Sequence, residues 1–195
     1  MTTESNTSPR DDFIWLEGLR TEQALTWARE QNAITLSAFT QGKDFDSLRE
    51  KVLEGLNSPD QIPGVWKCGN DWYNFWQAAQ NPTGLLRKTT LDEFRKAQPK
   101  WQTVLDIDAL GQSEGKEWVY HGFYPLKPHF TRALVFLSPD GGDASEIREF
   151  DLQTLEFVPD GFFLPVAKSR CGWLDSDHLF VATDFGEGSL TDSGY

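Results

Sequence analysis

Few side chains in this sequence have both the type and the spacing that chemistry requires. There are three histidines, His121, His129 and His178, and two cysteines, Cys68 and Cys171. Zinc-type sites place His, Cys or carboxylates at short fixed intervals, and none of these five has a neighbour spaced that way. Cys68 and Cys171 are expected to be reduced, mostly buried small apolar residues. His121 and His178, in or beside strand segments, read as hydrogen-bonded structural residues. A serine nucleophile for acyl transfer needs Gly-x-Ser-x-Gly, because only small neighbours allow the strained strand-to-helix elbow that exposes it. Ser189 has Gly188 before it but Leu190 and Thr191 after it. No catalytic, cofactor-binding or metal-binding residue is therefore assigned, and no cofactor is expected.

Three further patterns resemble sites without the context a site needs. Asp184-Phe185-Gly186 spells the magnesium-holding tripeptide of protein kinases, yet no glycine-rich loop, strand lysine or His-Arg-Asp loop precedes it. It reads as a strand end and turn. Asp106 and Asp108, at period-two spacing on the edge of a strand Val104 to Ile107, are expected to share one solvated face. Asp175-Ser176-Asp177 is a hairpin turn built by Asx chemistry, since no further oxygen ligands follow at calcium-loop spacing.

The elements that carry these residues change period once along the chain. From Thr21 to Phe39, Leu25, Ala28, Leu36 and Phe39 share one helical face and Trp27, Ile34 and Ala38 an adjoining one. Phe45, Leu48, Val52, Leu53 and Leu56 form a second stripe, started after Asp44 as N-cap and stopped by Asn57-Ser58-Pro59. Faces this wide should be covered by the sheets that follow or by a domain outside the chain. After Pro63-Gly64 the period falls to two. Strands are expected at Val65 to Cys68, Trp72 to Gln77, Leu85 to Thr89, Val104 to Ile107, Trp118 to Tyr124, Ala133 to Leu137, Ile147 to Leu152, Val166 to Ser169 and Leu179 to Ala182. Gly69-Asn70-Asp71, Asn81-Pro82-Thr83-Gly84, Ser138 to Gly142, Pro159-Asp160-Gly161 and Asp175 to Asp177 are the turns between them. Thr90-Leu91-Asp92-Glu93 has capping-box spacing and opens a single helical turn ended by Pro99.

So many short strands with regular punctuation predict a mainly β fold, a sandwich, barrel or propeller. A faint recurrence at roughly 40 to 50 residues, the size of a four-stranded blade, tips the choice towards a propeller. The last strand segment runs towards Gly194-Tyr195 with no closing element, which predicts an arc of a larger architecture.

Composition sets the remaining bounds. The 195 residues carry a net charge of −12 and include 8 Trp and 14 Phe, so rings supply an unusual share of the apolar area. Without a Lys/Arg stripe to offset the carboxylates, nucleic acid is not an expected partner. No apolar stretch of about 18 residues could span a bilayer. Met1 to Arg10 is polar and lacks the basic start and apolar run of a secretory signal, so a disordered tail and a cytoplasmic protein are expected. Asn6-Thr7-Ser8 is then an idle sequon, and Asn81-Pro82-Thr83 is excluded by its proline.

An ordered series of segments carries a family resemblance. Asp11-Asp12-Phe13-Ile14-Trp15-Leu16-Glu17, followed by Ala24-Leu25-Thr26-Trp27-Ala28-Arg29-Glu30-Gln31-Asn32, resembles the opening and first helix of prolyl oligopeptidase family serine peptidases. Tyr73 to Trp76, Asn81 to Leu85, Arg148 to Leu152, Asp160 to Phe162, Ala167 to Ser169 and Thr183 to Thr191 resemble later segments of the bacterial members, in order. The resemblance implies a seven-bladed propeller, flanked by an N-terminal helical segment, that caps an α/β-hydrolase domain. In the family that hydrolase domain carries the Ser-Asp-His triad, and the propeller admits peptides while excluding folded proteins.

Carried onto this chain, the resemblance implies a tail at 1–10, a helical segment at 11–60 and about two to three blades at 61–195, with the other blades and the hydrolase domain missing. The expected function is that of the propeller-side portion of a prolyl-oligopeptidase-like serine peptidase, partnered by an α/β-hydrolase domain and, through the full enzyme, by oligopeptides. Alone, such a chain is expected to be inactive. The alternative is a stand-alone β-propeller-like interaction module without enzymatic activity, against which counts the exposure of strand edges in an unclosed ring.

Overall fold

The computed structural model describes residues 11–18, 21–58 and 64–189. The expected tail at 1–10 with its Asn6 sequon, the Pro63 breaker, and Leu190 and Thr191 lie outside the described residues. The chain divides into two compact units between Pro59 and Asp60, and each is taken by itself.

The first unit is helical. A 3-10 turn over Ile14–Glu17 places Trp15 edge-on against Trp27, with ring centroids 6.1 Å apart. Helix α1 spans Glu22–Phe39, and the Thr21 hydroxyl accepts the Ala24 N–H at 3.3 Å, one of the amide donors a helix start leaves unpaired. Helix α2 spans Lys43–Leu56 with Gly42 at its N-cap. Asp44 therefore lies inside the first turn and is not the cap expected from sequence. With Asp46 it places negative charge where the helix dipole favours it. Along the apolar stripes Ile34, Phe39, Leu48, Leu53 and Leu56 are exposed.

The second unit is built of antiparallel sheets joined strand to next strand. The first sheet has the order β1 (Trp66–Cys68), β2 (Asp71–Ala78), β3 (Asn81–Thr89) and β4 (Gln102–Asp106). Between β3 and β4, the single turn α3 (Leu91–Phe94) is capped by the Thr90 hydroxyl, which accepts the Glu93 N–H at 3.2 Å. Helix α4 (Ile107–Glu114) then leads to the second sheet. There β5 (Val119–Pro125), β6 (Arg132–Ser138) and β7 (Ser145–Asp151) run in order, and β7 pairs along its far edge with both β8 (Glu156–Phe157) and β9 (Phe163–Ala167). The third sheet is the hairpin β10 (Arg170–Trp173) and β11 (Leu179–Ala182). Mainly β with N-terminal helices is the class expected from sequence.

Period two decides what each face does. On β2, Tyr73 and Phe75 face the second sheet, stacking on Phe123 and Tyr120 at centroid distances of 5.3 and 4.4 Å. Around them Leu86, Ile107, Trp118, Ala133, Val135, Leu137 and Phe150 form one core shared by the two sheets and α4. On β10 and β11 the alternation puts Leu179 and Val181 partly under cover and leaves Phe180 exposed.

Two local expectations are corrected. Asn81 to Gly84 is not a turn; Asn81 pairs with Ala78, and the chain reverses at Ala79-Gln80. The register shifts between Trp76 and Ala78, and in this irregular stretch a proline N–H is not needed. The strand Val104 to Ile107 ends at Asp106, where the carboxylate accepts the Ala109 N–H at 2.9 Å and starts α4. Gly115, at φ +64°, ends that helix in the left-handed conformation glycine adopts without steric cost.

Candidate functional site

His121 comes nearest to a catalytic contact. Its Nδ1 lies 2.9 Å from the Ser145 hydroxyl. Ser145 is only 5% exposed, and among the described residues no carboxylate hydrogen-bonds to the His121 ring. A base that no third group orients, beside a serine no substrate reaches, does not form an acyl-transfer relay. The contact instead pins the irregular stretch of β5, between Tyr120 and Gly122, to the start of β7.

The other candidates resolve into turn and helix chemistry. His178 Nδ1 sits 2.9 and 3.1 Å from the two Asp175 oxygens on an exposed hairpin, and Asp175 also accepts the Asp177 N–H at 2.8 Å, as the Asx reading expects. Ser189 accepts the Phe185 N–H at 2.9 Å and donates to Asp184 at 3.3 Å, locking the Asp184-Phe185-Gly186 turn. Asp106 and Asp108 do not share a strand face: Asp106 caps α4, and Asp108, within the helix, accepts the Thr83 and Gly84 amides at 3.3 and 3.2 Å. Among the described residues no three His, Cys, Asp or Glu gather closely enough for a metal ion.

An open polar cleft lies between the sheets, walled by Cys68, Asp71, Tyr73 and Lys88 on one side and His129 and Phe130 on the other. It offers no activated nucleophile. Burial, reinforced by the charge of Asp71, pushes the Cys68 thiol up to about 11, and burial alone pushes Cys171 up to about 11. Tyr73 is shifted upward by the same desolvation. All three stay protonated near neutrality, the unreactive form. Lys88 is held 3.0 Å from Asp71.

The strongest electrostatic assembly ties α4 to β7. Arg148 donates from its two Nη atoms to Glu114 at 2.6 and 2.9 Å and from Nε to Glu146. The Trp118 indole donates to the same Glu114 at 2.9 Å, and Lys116 lies 3.7 Å from Glu146. On the opposite face of β7, Glu149 is buried, paired with Arg132 at 3.0 Å and accepting the Phe162 N–H at 2.8 Å. Every carboxylate here has a donor, so the assembly is a fixed strut and not a reactive centre. Nothing in the sequence pattern joins Glu114 to Arg148 across 34 residues.

This strut predicts an acid-sensitive fold. The Arg148 hydrogen bond, supported by Trp118, holds Glu114 below its ordinary value of 4.5, and the Thr154 and Gln153 amides hold Asp151 below 3.8. Groups depressed by folding contribute stability above their unfolded values, and that contribution is lost as pH falls through the folded ones. The urea midpoint should stay level from neutrality down to about pH 5.5 and fall steeply below about pH 4.5. Glu114→Gln should flatten part of that fall; an unchanged profile would deny Glu114 the role.

The family model for the prolyl oligopeptidase N-terminal β-propeller domain matches residues 1–194. An uncharacterized peptidase, y4nA, of Sinorhizobium fredii is 34% identical over 186 residues, 95% of this chain and 26% of its own length. The uncharacterized peptidase RP174 of Rickettsia prowazekii is 32% identical over 150 residues, 76% of this chain and 20% of its own length. Among solved structures, a post-proline cleaving enzyme from Rickettsia typhi superposes with a TM-score of 0.82 at 27% identity, over 93% of this chain and 27% of that one. Oligopeptidase B from Leishmania major shares the fold, with a TM-score of 0.60 at 13% identity, over 88% of this chain and 24% of that one. The chain thus spans about a quarter of the length of these relatives. With the match taking in essentially every residue, the chain belongs to the prolyl oligopeptidase family and corresponds to its N-terminal β-propeller domain.

Proposed function

We propose that this chain is the propeller-side, N-terminal portion of a prolyl-oligopeptidase-like serine peptidase, contributing substrate gating and contact with an α/β-hydrolase domain. On this reading residues 1–10 are a tail, 11–60 a helical segment and 61–195 about two to three blades of a seven-bladed ring, in a cytoplasmic enzyme that cleaves oligopeptides. The observation that carries it is the family match over residues 1–194 in a chain that covers only 26% of its Sinorhizobium relative. The exposed apolar stripes of α1 and α2 suit contact with a further domain. No helix of the described residues is long and apolar enough to cross a membrane.

Peptide hydrolysis by an acyl-serine route would need a serine, its histidine base and an oxyanion hole, all supplied from outside these residues. The purified chain is therefore expected to leave chromogenic prolyl peptides uncleaved. Robust turnover abolished by a serine-directed inhibitor would defeat the proposal. The rival reading, a stand-alone interaction module, predicts a sharp monomer with cooperative melting. Self-association through the edge of β11 that is unpaired among the described residues, and through the exposed Phe180 and Phe185, would favour the arc of a ring.

A further inference from the structure

The face of the first sheet turned away from the second holds an arginine in an unusual setting. Arg87 on β3 pairs with Asn74 on β2 and Thr103 on β4, and its guanidinium lies between two indoles, 4.4 Å from the centroid of Trp76 and 4.3 Å from that of Trp101. Its Nε donates to Asn74 Oδ1 at 2.7 Å. Asn74, only 2% exposed, is itself fixed, its amide nitrogen donating to the carbonyls of Gly64 at 2.8 Å and Phe75 at 3.2 Å. Both flat faces and the Nε edge of the cation are thus occupied by the chain. The Nη edge is not: among the described residues no carboxylate pairs with Arg87 and no acceptor meets its Nη atoms.

We propose that the Nη edge of Arg87 is a receptor for a carboxylate, taken end-on and coplanar with the guanidinium in the slot between Trp76 and Trp101. A partly buried guanidinium whose N–H donors lack acceptors is costly, and burial without a neighbouring anion holds Arg87 down to about 10. A bidentate carboxylate meets two parallel N–H groups at once. The planarity of the slot selects it over phosphate, whose tetrahedral oxygens project out of the plane that the indoles enclose. The net charge of −12 likewise disfavours a multiply charged anion. The carboxylate can come from a side chain on an extended strand laid across this face or from a small free acid.

The test uses the whole chain labelled with nitrogen-15 in arginine, following the Arg87 side-chain resonances and tryptophan fluorescence at constant ionic strength. The probes are acetate, the blocked peptide acetyl-Val-Asp-Val-amide, its Asn counterpart, inorganic phosphate, and chloride as the reference. Saturable shifts with acetate and the Asp peptide, and binding of the Asn peptide weaker by about tenfold or more, are expected. An Asp peptide that outcompetes acetate identifies a strand-borne side chain as the source; equal affinities identify a free acid. Arg87→Lys, which keeps the charge but loses the fork, should abolish the fluorescence response with its far-UV spectrum unchanged. No saturable shift in the wild-type chain, equal binding of the Asn peptide, or tighter binding of phosphate would overturn the proposal.

Discussion

Trp118→Ala is expected to lower the unfolding free energy by about 3–5 kcal/mol, a large part of the total stability of an ordinary domain. Trp118 is 1% exposed and sits where α4, the start of β5 and β7 converge. Truncation removes a full indole from a close-packed site whose surroundings, two sheets and a helix, cannot collapse to refill it. It also strips electrostatic support from the strut. The Lys116 ammonium lies 4.5 Å and the Arg148 guanidinium 5.2 Å from the ring, and Glu114 loses the indole donor. Trp118→Phe separates the two contributions, because it retains most of the ring but not the N–H; its loss should be about 1–2 kcal/mol. Urea unfolding followed by far-UV circular dichroism decides the matter. A Trp118→Ala loss below about 1 kcal/mol would mean that the two sheets do not share this core.

How far such a core could be foreseen depends on the interactions that build it. The strands of both large sheets were legible because β-branched and aromatic residues alternate with polar ones and Asn, Asp, Gly and Pro punctuate them. Helix α4 was not, because Val104, Leu105 and Ile107 read as strand residues around Asp106 and only Leu110 continues an apolar stripe. Its two signals, Asp106 at the start and Gly115 at the end, are turn residues as readily as caps. Strand β10 is hidden in the sequence for a related reason: Arg170 and Gly172 interrupt the pattern, and its place is set by pairing with Val181 and Phe180. The absence of a nucleophile elbow around Ser189 could be read directly. Tertiary encounters could not: neither the Arg148 strut nor the Arg87 slot follows a local period, since each gathers side chains from separate strands.

Gly84→Ala is the substitution that separates backbone from packing at the joint between the sheets. Gly84 has φ +108°, a conformation L-residues rarely adopt, and a Cβ there would lie 2.3 Å from Cζ of Phe75 and within 3.0 Å of two further ring atoms. Phe75 cannot yield freely, because its other face stacks on Tyr120 at 4.4 Å. Nor can the backbone, whose N–H is held by Asp108 at 3.2 Å. Strain of about 1–2 kcal/mol and overpacking of about 1–3 kcal/mol together predict a loss of about 2–5 kcal/mol. Combining Gly84→Ala with Phe75→Leu should be less damaging than the sum of the two single changes, because the smaller side chain makes room for the methyl group. Gly172→Ala, where nothing lies within 4 Å of the added carbon, should change stability by less than about 0.5 kcal/mol. If Gly84→Ala proved as silent as Gly172→Ala in the same urea titration, Phe75 would not be clamped between the sheets. The face-to-face stacking on which the propeller arrangement depends would then lose its central contact.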